Sequence, residues 1–345
     1  MGNDNVEISV IIIAHQRKEY LARALNSVLA QSLPRQLFEV IVVKDFEDRF
    51  LDELIDGSGC TLLKESPEAT AGQMFAHAIE VAAGAIVCFL DDDDEFLNGK
   101  LDVIRRLFEQ YPNVALIHNR AVYINSVGEV LTKTTVRSQP SSLVIEPTSA
   151  AACTRALVGH GIGFNSSSLS IRREELMPRL EILRHIRVNC DNFFGLLPLI
   201  NGHDVLSSNL VLTRYRLHML NNSGDHVDEF GSFVEARRRF YSRLLPDLDL
   251  QVAMARGTVA EDTMSHYSDH TRNLALVAVG PSVLAGRRAS LSSLILNRQF
   301  SNVFRLYPLQ YLLFLVARLL WYLSPVGSQR VYFETKVIAS THDFK

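Results

Sequence analysis

Residues 8 to 90 alternate short apolar runs with longer amphipathic ones, and this rhythm constrains the fold more than any other feature. Strands are predicted at 8–14, 38–45, 60–65 and 85–90, and helices at 19–31, 49–56 and 71–84. A continuous apolar run such as ISVIIIA is typical of a strand that is buried on both faces. We expect the third helix to end at Gly84. The alternation predicts an α/β fold with a mostly parallel open sheet and helices on both faces.

The size and composition of the chain predict a globular protein with more than one part. The chain has 345 residues, of which 47% are hydrophobic and 21% are charged, so intrinsic disorder is excluded. This length exceeds that of a usual single domain. We expect an α/β domain over residues 1–225 and a helical C-terminal region over residues 226–345.

Charge and cysteine usage exclude several kinds of protein. The formal net charge is −3 and no long basic block occurs, so the sequence predicts no nucleic-acid partner. The four cysteines are far apart and form no CxxC pair, which favours reduced thiols in a cytosolic compartment over disulfides or a zinc site. The first ten residues lack a basic start followed by an apolar run, so we expect no signal peptide.

The strand at 85–90 runs directly into four consecutive aspartates, Asp91 to Asp94. Adjacent like charges repel, and a bound cation is the simplest way to hold them in a folded chain. The alternative is a solvated acidic turn that caps the helix that follows. We expect Asp94 either to cap this helix, which begins near Asn98, or to support the site from behind the metal ligand.

Polar residues follow three of the predicted strands at the point where each strand ends. They are residues 14–17 after the first strand, Asp45 after the second, and Asp91 to Asp94 after the fourth. In an open parallel sheet, ligands bind in the crevice beyond the carboxyl ends of the strands. The convergence of three such ends favours a binding site over an isolated acidic turn.

Three segments, ISVIIIAHQR, FEVIVVKD and AGAIVCFLDDDDEFL, together resemble the nucleotide-binding half of family 2 glycosyltransferases, which have the GT-A fold. Leu90, Asp91, Asp93 and Asp94 match the family's Leu-Asp-x-Asp-Asp motif, and the resemblance extends over roughly residues 8 to 220. It implies transfer of a sugar from a nucleotide-diphosphate sugar to an acceptor hydroxyl, with Mg²⁺ or Mn²⁺ as cofactor. The first turn departs from the family, since it shares only Arg17.

The same resemblance assigns roles to individual residues. Asp93 and His218 are the implied metal ligands, and Asp191 is the implied general base, near the start of a helix predicted within residues 188–202. One base with no second nucleophilic carboxylate favours inversion. Implied donor contacts come from Ala14, His15, Arg17, Asp45, Asp91 and Arg216. The Gly- and Ser-rich segment 159–176 corresponds to the family's acceptor pocket.

The C-terminal region suggests a membrane surface as a further partner. No acidic residue and seven arginines occur between Thr271 and Phe333. An apolar helix between Pro308 and Pro325 has room for about 16 residues, or roughly 24 Å. This falls short of the ~30 Å hydrocarbon core. We therefore expect an interfacial helix on anionic lipid at the cytoplasmic face, with a sugar or lipid-linked acceptor. Packing on the domain or on a second subunit is the alternative.

Three further interpretations concern a loop and the function class. The polar stretch 132–149 predicts a mobile loop beside the site. A metal-dependent nucleotidyl or phosphoryl transferase could use the same aspartates, although no Gly-rich phosphate loop is present. A non-catalytic nucleotide-sugar-binding protein of the same fold is the third class.

Overall fold

The computed structural model describes residues 5–15, 17–131, 141–218 and 230–284, together with residue 329. The chain divides into two compact units. The first unit comprises residues 1–130 and 136–216, and the second comprises residues 131–135 and 217–345.

The first unit is built from nine strands and eight α-helices in its described residues. The strands are β1 (Ile8–Ala14), β2 (Phe38–Lys44), β3 (Thr61–Lys64), β4 (Ile86–Asp91), β5 (Glu95–Phe96), β6 (Val114–Ile124), β7 (Leu143–Ile145), β8 (Leu169–Arg172) and β9 (Asp204–Arg216). The helices are α1 (Leu21–Leu29), α2 (Arg49–Gly57), α3 (Ala71–Val81), α4 (Lys100–Gln110), α5 (Ala150–Thr154), α6 (Arg173–Leu176), α7 (Leu180–Leu183) and α8 (Cys190–Asn201).

All nine strands belong to one sheet, in the order β3-β2-β1-β4-β8-β6-β9-β5, with β7 paired to β9. The pairs among β3, β2, β1 and β4 are parallel, as the strand–helix alternation predicts. β8 lies antiparallel between β4 and β6, while β6 and β9 are parallel. The α/β prediction is confirmed, and the sheet is parallel in its first half and mixed in its second.

Helices cover both faces of the parallel half. On one face, alternate residues of β1 and β2 pack in a cluster with apolar residues of α1, α2 and α4, including Leu25, Ile55 and Ile104. On the opposite face, the Phe89 ring stacks on Phe194 of α8 and meets Phe75 of α3 edge-on. Every residue of β1 is buried because both of its faces are covered.

Gly84 does not end the third helix as predicted, and its role is a close contact with β1. α3 ends at Val81, and Ala82 provides its C-cap. A Cβ added to Gly84 would lie 2.5 Å from the backbone nitrogen of Ser9, so the glycine allows the chain to pass against β1.

Two further predictions are corrected by local geometry. α4 begins behind Gly99, which has φ 82°, so Asp94 does not cap this helix. Residues 143–145 of the predicted loop form β7, since they pair with β9 through backbone hydrogen bonds that need no apolar pattern. Residues 132–140 of that loop lie outside the described residues.

The second unit is helical in its described residues. It contains α9 (Phe230–Ala255), α10 (Glu261–Val279) and a 3₁₀ turn at Pro281–Leu284. Arg272 of α10 pairs with Asp249 of α9 at 2.9 Å and with Asp269 at 3.1 Å. This arginine is one of the seven assigned to a lipid-facing surface, and it is instead neutralised within the unit.

The predicted apolar helix between Pro308 and Pro325 and the other six arginines lie outside the described residues. None of the described helices combines the length and hydropathy needed to cross a membrane. All four cysteines are free, in agreement with the expectation of reduced thiols.

Candidate active site

The acidic turn follows β4 at its carboxyl end. Asp92, Asp93 and Asp94 are buried, with 2%, 9% and 1% of their surface exposed. Each of Asp91, Asp93 and Asp94 offers a carboxylate oxygen, and these oxygens lie within 4.8 Å of one another. Oxygen donors from one or two carboxylates are the ligands that Mg²⁺ and Mn²⁺ take in sites shared with phosphates. The turn therefore fits a hard divalent cation.

Crowding and burial raise the pKa values of this turn. Burial, with the charge of Asp93 as a further cause, raises the pKa of Asp91 to about 7. Burial also raises the pKa values of Asp92 and Asp94. A cation bound among these carboxylates would favour their ionised forms, because opposite charge stabilises the anion.

Arg17 compensates part of the acidic charge. Its Nη2 lies 2.5 Å from Oδ1 of Asp92, and its Nη1 lies 2.6 Å from Oδ2 of Asp93. Arg17 was predicted to contact the donor, and in the structure its guanidinium forms an ion pair with the predicted metal ligand Asp93. A cation bound at that oxygen and the guanidinium would compete for the same carboxylate.

The other donor-contact predictions at the first two strand ends come together in the structure. Nδ1 of His15 lies 2.5 Å from Oδ2 of Asp45, whose side chain is fully buried. Ala14 is the last residue of β1 and pairs with Lys44, the last residue of β2. These residues lie at the carboxyl ends of β1 and β2, and their contacts with a donor remain predictions.

Arg216 is buried and holds the acidic turn through hydrogen bonds. Its backbone N–H donates to Oδ1 of Asp94 at 2.8 Å, and its Nε–H donates to the carbonyl oxygen of Asp93 at 2.7 Å. Its two Nη groups donate to Oε1 of Glu95 and to the carbonyl oxygen of Asn125. The side chain is buried. The sequence predicted a donor contact, and the observed partners of the guanidinium are protein groups that hold the turn.

His218 belongs to the second unit and is buried, with 9% of its surface exposed. Its predicted role as a metal ligand remains a prediction.

Asp191 lies in the first turn of α8, where the predicted base was placed. Its Oδ2 accepts a hydrogen bond from the backbone N–H of Asn165 at 3.1 Å, and its Oδ1 accepts one from the N–H of Asn192 at 2.9 Å. Burial nevertheless raises the pKa of Asp191 to about 6. A carboxylate with this pKa is ionised at neutral pH and is a stronger base than an exposed aspartate.

The segment Asn165–Ser168 connects the acidic turn with Asp191. The hydroxyl of Ser166 donates to Oδ1 of Asp91 at 2.7 Å, and the N–H of Asp91 donates to Oγ of Ser167 at 3.0 Å. Asn165 adopts a left-handed conformation with φ 65°, which its side-chain oxygen supports by accepting from the N–H of Ser167. The same short segment therefore contacts both carboxylate sites.

A buried lysine, Lys100, donates a hydrogen bond that helps to hold the segment Asn165–Ser168 in place. Nζ of Lys100 donates to the carbonyl oxygen of Ser167 at 2.6 Å and to Oγ1 of Thr213 at 3.0 Å, and it lies 3.8 Å from the centroid of the Phe96 ring. Burial lowers the pKa of Lys100 to about 7. Sequence reasoning missed Asn165, Ser166 and Lys100 as individual residues. The NSSS run within the predicted acceptor segment was the only signal for the first two.

Two glycines bring α8 against the same segment. A Cβ added to Gly195 would lie 2.7 Å from the carbonyl oxygen of Ile162 and 2.8 Å from Cα of Gly163. A Cβ added to Gly163 would lie 2.7 Å from Oδ1 of Asn192. No side chain fits at either position, so the backbones approach closely just beside Asp191.

Comparison with curated proteins gives partial relatives. A Haemophilus influenzae protein named an uncharacterized glycosyltransferase is 27% identical over 140 residues, which are 40% of this chain and 47% of the relative. A second uncharacterized glycosyltransferase, from Nostoc sp., is 33% identical over 119 residues, or 33% of this chain and 36% of the relative. The chain thus spans less than half the length of either relative.

Solved structures share the fold at low sequence identity. Staphylococcus aureus TarS 1–349 in complex with UDP-GlcNAc has a TM-score of 0.53 at 15% identity, covering 97% of this chain and 92% of that one. A mannosyltransferase, PcManGT from Pyrobaculum calidifontis in complex with GDP-Man and Mn²⁺, has a TM-score of 0.54 at 13% identity, covering 98% and 88%. These likenesses establish the fold.

The model of the family described as Glycosyl transferase family 2 matches residues 9–177. This range includes β1, the acidic turn and the segment that contacts Asp191. Residues 9–177 thus match the family 2 glycosyltransferases, and the architecture is that of the GT-A fold.

Proposed function

We propose that the chain is an inverting glycosyltransferase that moves a sugar from a nucleotide-diphosphate sugar to an acceptor hydroxyl. The observation that carries the proposal is the pairing of two carboxylate sites through Asn165–Ser168. One site is a crowded acidic turn suited to a cation, and the other is a lone carboxylate whose pKa is raised to about 6. The bound nucleotide sugars named for TarS and PcManGT support this donor class.

Asp191 acts as the general base in this proposal. It takes the proton from the acceptor hydroxyl while that oxygen forms a bond to the anomeric carbon. The bond from the anomeric carbon to the diphosphate oxygen breaks, and its electron pair leaves with the nucleoside diphosphate. The proposal assigns one base and no carboxylate as a nucleophile, so we propose direct displacement with inversion.

Asp93 is the proposed principal ligand for Mg²⁺ or Mn²⁺, with Asp91 and Asp94 beside it and His218 as a further ligand. Such a cation supplies neutralisation of the charge that develops on the leaving diphosphate. Arg17, freed from Asp93, would face the same diphosphate oxygens. Ala14, His15 and Asp45 are the proposed contacts for the nucleoside.

The test is slow donor hydrolysis by the purified full chain, with a panel of nucleotide sugars and Mn²⁺. Asp93→Ala should abolish Mn²⁺-dependent donor binding in calorimetry. Asp191→Asn should retain donor binding and lose at least ~10²-fold in transfer, the lower end of general-base catalysis. Asp56→Asn, which changes an exposed carboxylate on α2, is the control and should match wild type. Binding without hydrolysis or transfer would instead support the non-catalytic class.

We further propose that residues 1–225 are the catalytic domain and that residues 226–345 include a surface that binds anionic membrane from the cytoplasmic side. Support comes from six arginines without an acidic residue between Gly280 and Phe333, and from the aromatic-flanked apolar stretch. If the acceptor is linked to a lipid, binding to the membrane would bring the catalytic domain close to it. The full chain should co-sediment with anionic vesicles, remain free of neutral ones and dissociate in high salt. Equal behaviour with both kinds of vesicle would reject the proposal.

A further inference from the structure

An exposed phenylalanine, Phe164, immediately precedes the residue whose backbone N–H binds the proposed base. That residue is Asn165, which donates to Asp191, and 55% of the surface of Phe164 is exposed. Single exposed apolar residues are common and need no explanation on their own. The surroundings of this one are unusual because its backbone is fixed on both sides.

Two hydrogen bonds hold the Phe164 backbone in place. Its N–H donates to the carbonyl oxygen of Gly161 at 2.9 Å, and its own carbonyl oxygen lies 3.2 Å from Nε2 of His118. Burial lowers the pKa of His118 to about 4, so the imidazole is neutral and its Nε2 carries the donated proton. The left-handed conformation of Asn165 follows immediately. The ring is therefore displayed from a rigid segment.

Phe164 is the exposed end of a row of aromatic rings. Its ring lies 6.1 Å from that of Tyr215, tilted by 43°, and Tyr215 meets Tyr123 edge-on at 5.6 Å. Tyr123 and Tyr215 are register partners on β6 and β9. Burial, with the charges of Asp94, Asp93 and Asp91 as further causes, raises the pKa of Tyr215. The row thus runs from the β6–β9 pair to the residue that precedes Asn165.

We infer that the ring of Phe164, continued by Tyr215, is a platform on which a pyranose ring of the acceptor rests while Asp191 takes the proton from its hydroxyl. A pyranose carries C–H groups on one face, and their positive hydrogens suit the negative face of an aromatic ring. A fixed aromatic side chain provides this contact at a small cost in conformational entropy. This inference rests on the proposed function and specifies its acceptor as a sugar ring rather than an open-chain polyol.

The experiment uses the full chain, the nucleotide sugar that wild type hydrolyses, and two sets of acceptor probes. The probes are a panel of methyl pyranosides and, as the open-chain alternative, glycerol. Wild type should transfer to at least one pyranoside in preference to glycerol. Phe164→Ala should raise the KM for that pyranoside about tenfold and lower the ratio of transfer to hydrolysis by the same factor. Tenfold corresponds to about 1.4 kcal/mol.

Matched variants separate a platform from a structural role. Phe164→Tyr keeps the aromatic face and should restore the KM to within about twofold of wild type. Phe50→Ala removes another exposed phenylalanine, 71% exposed on α2, and should leave the pyranoside KM unchanged. The inference is overturned if glycerol is preferred, if neither probe is used, or if Phe164→Ala leaves the transfer-to-hydrolysis ratio unchanged. Absence of donor hydrolysis in wild type would be a different result, since it refutes the proposed function itself.

Discussion

Replacing Gly195 with alanine tests whether the close contact between α8 and the Gly163 backbone positions the base. The new Cβ would lie 2.8 Å from Cα of Gly163 and 2.7 Å from the carbonyl oxygen of Ile162. Carbon atoms in contact normally lie about 3.5–4.0 Å apart, so the two backbones must separate by roughly 0.7–1.2 Å. Both opposing atoms belong to the backbone, and no side-chain rotation can relieve the overlap.

This separation should affect catalysis more than stability. Overpacking costs about 1–3 kcal/mol, while alanine in a helix gains about 0.5–1 kcal/mol over glycine. The net loss of about 0–2.5 kcal/mol lowers the Tm by at most about 10 °C in a unit of this size. A displacement of about 1 Å at a reacting group can reduce the rate by ~10². The 3.1 Å hydrogen bond from Asn165 to Asp191 joins the same two segments, the one after Gly163 and α8. Separating these segments therefore displaces the carboxylate of Asp191.

The assay measures sugar transfer, donor binding by calorimetry, and thermal unfolding of the same preparations. Gly195→Ala should bind the donor, unfold cooperatively within about 10 °C of wild type, and lose about 10²-fold in transfer. Gly57→Ala is the matched control, since alanine is added to the last position of α2 with no atom within 4 Å of the new Cβ. Transfer within twofold of wild type in Gly195→Ala would refute the claim that this contact positions Asp191.

Three other changes have defined outcomes. Arg17→Ala should tighten Mn²⁺ binding without nucleotide by at least about tenfold in calorimetry. The removed guanidinium lies on Asp93, and a charge ~4 Å from a cation opposes it by about 4 kcal/mol at an effective dielectric of 20; unchanged or weaker binding contradicts this competition. The kcat/KM for transfer should fall about tenfold per pH unit below about 6 and level off above it, because Asp191 must be ionised and its pKa is raised to about 6; a profile flat from pH 5 to 7 would move the base elsewhere. Gly72→Ala should lower stability by at least about 3 kcal/mol in denaturant unfolding, since the new Cβ would lie 2.0 Å from the carbonyl oxygen of Leu183; a stable variant would show that α7 moves away freely.

The first half of the sheet could be predicted because its signal is local. β1 occupies the predicted residues, and β2 and β4 end within one residue of the predicted positions, since continuous apolar runs mark strands covered on both faces. β6 gave no such signal, because five of its eleven residues are incompletely buried and polar residues interrupt it. β7 has three residues and depends on pairing with β9, which a local pattern does not contain.

The candidate site divides in the same way. The aspartates of the turn and Asp191 could be placed from motif and position, because each occupies a defined end of a strand or helix. The supporting residues could not, since their roles arise from contacts across long stretches of sequence. Lys100 meets Ser167 across 67 residues, and Arg216 meets Asp94 across 122. Arg17 shows a further limit of prediction from sequence. An arginine that binds the phosphates of a ligand and an arginine that pairs with the aspartates of the same site have the same sequence pattern.

The position of Arg216 at the end of β9 determines where this chain can be shortened. The family match ends at residue 177, and a fragment cut there would keep the acidic turn while discarding Asp191 and the strand that carries Arg216. Without this strand, Oδ1 of Asp94 and the carbonyl oxygen of Asp93 would lose the donors that Arg216 provides, and Glu95 would lose both Arg214 and Arg216 as partners. The smallest fragment able to retain an ordered acidic turn therefore runs from β1 through Arg216, and expression trials based on the family boundary alone should yield protein that has the motif but not the site.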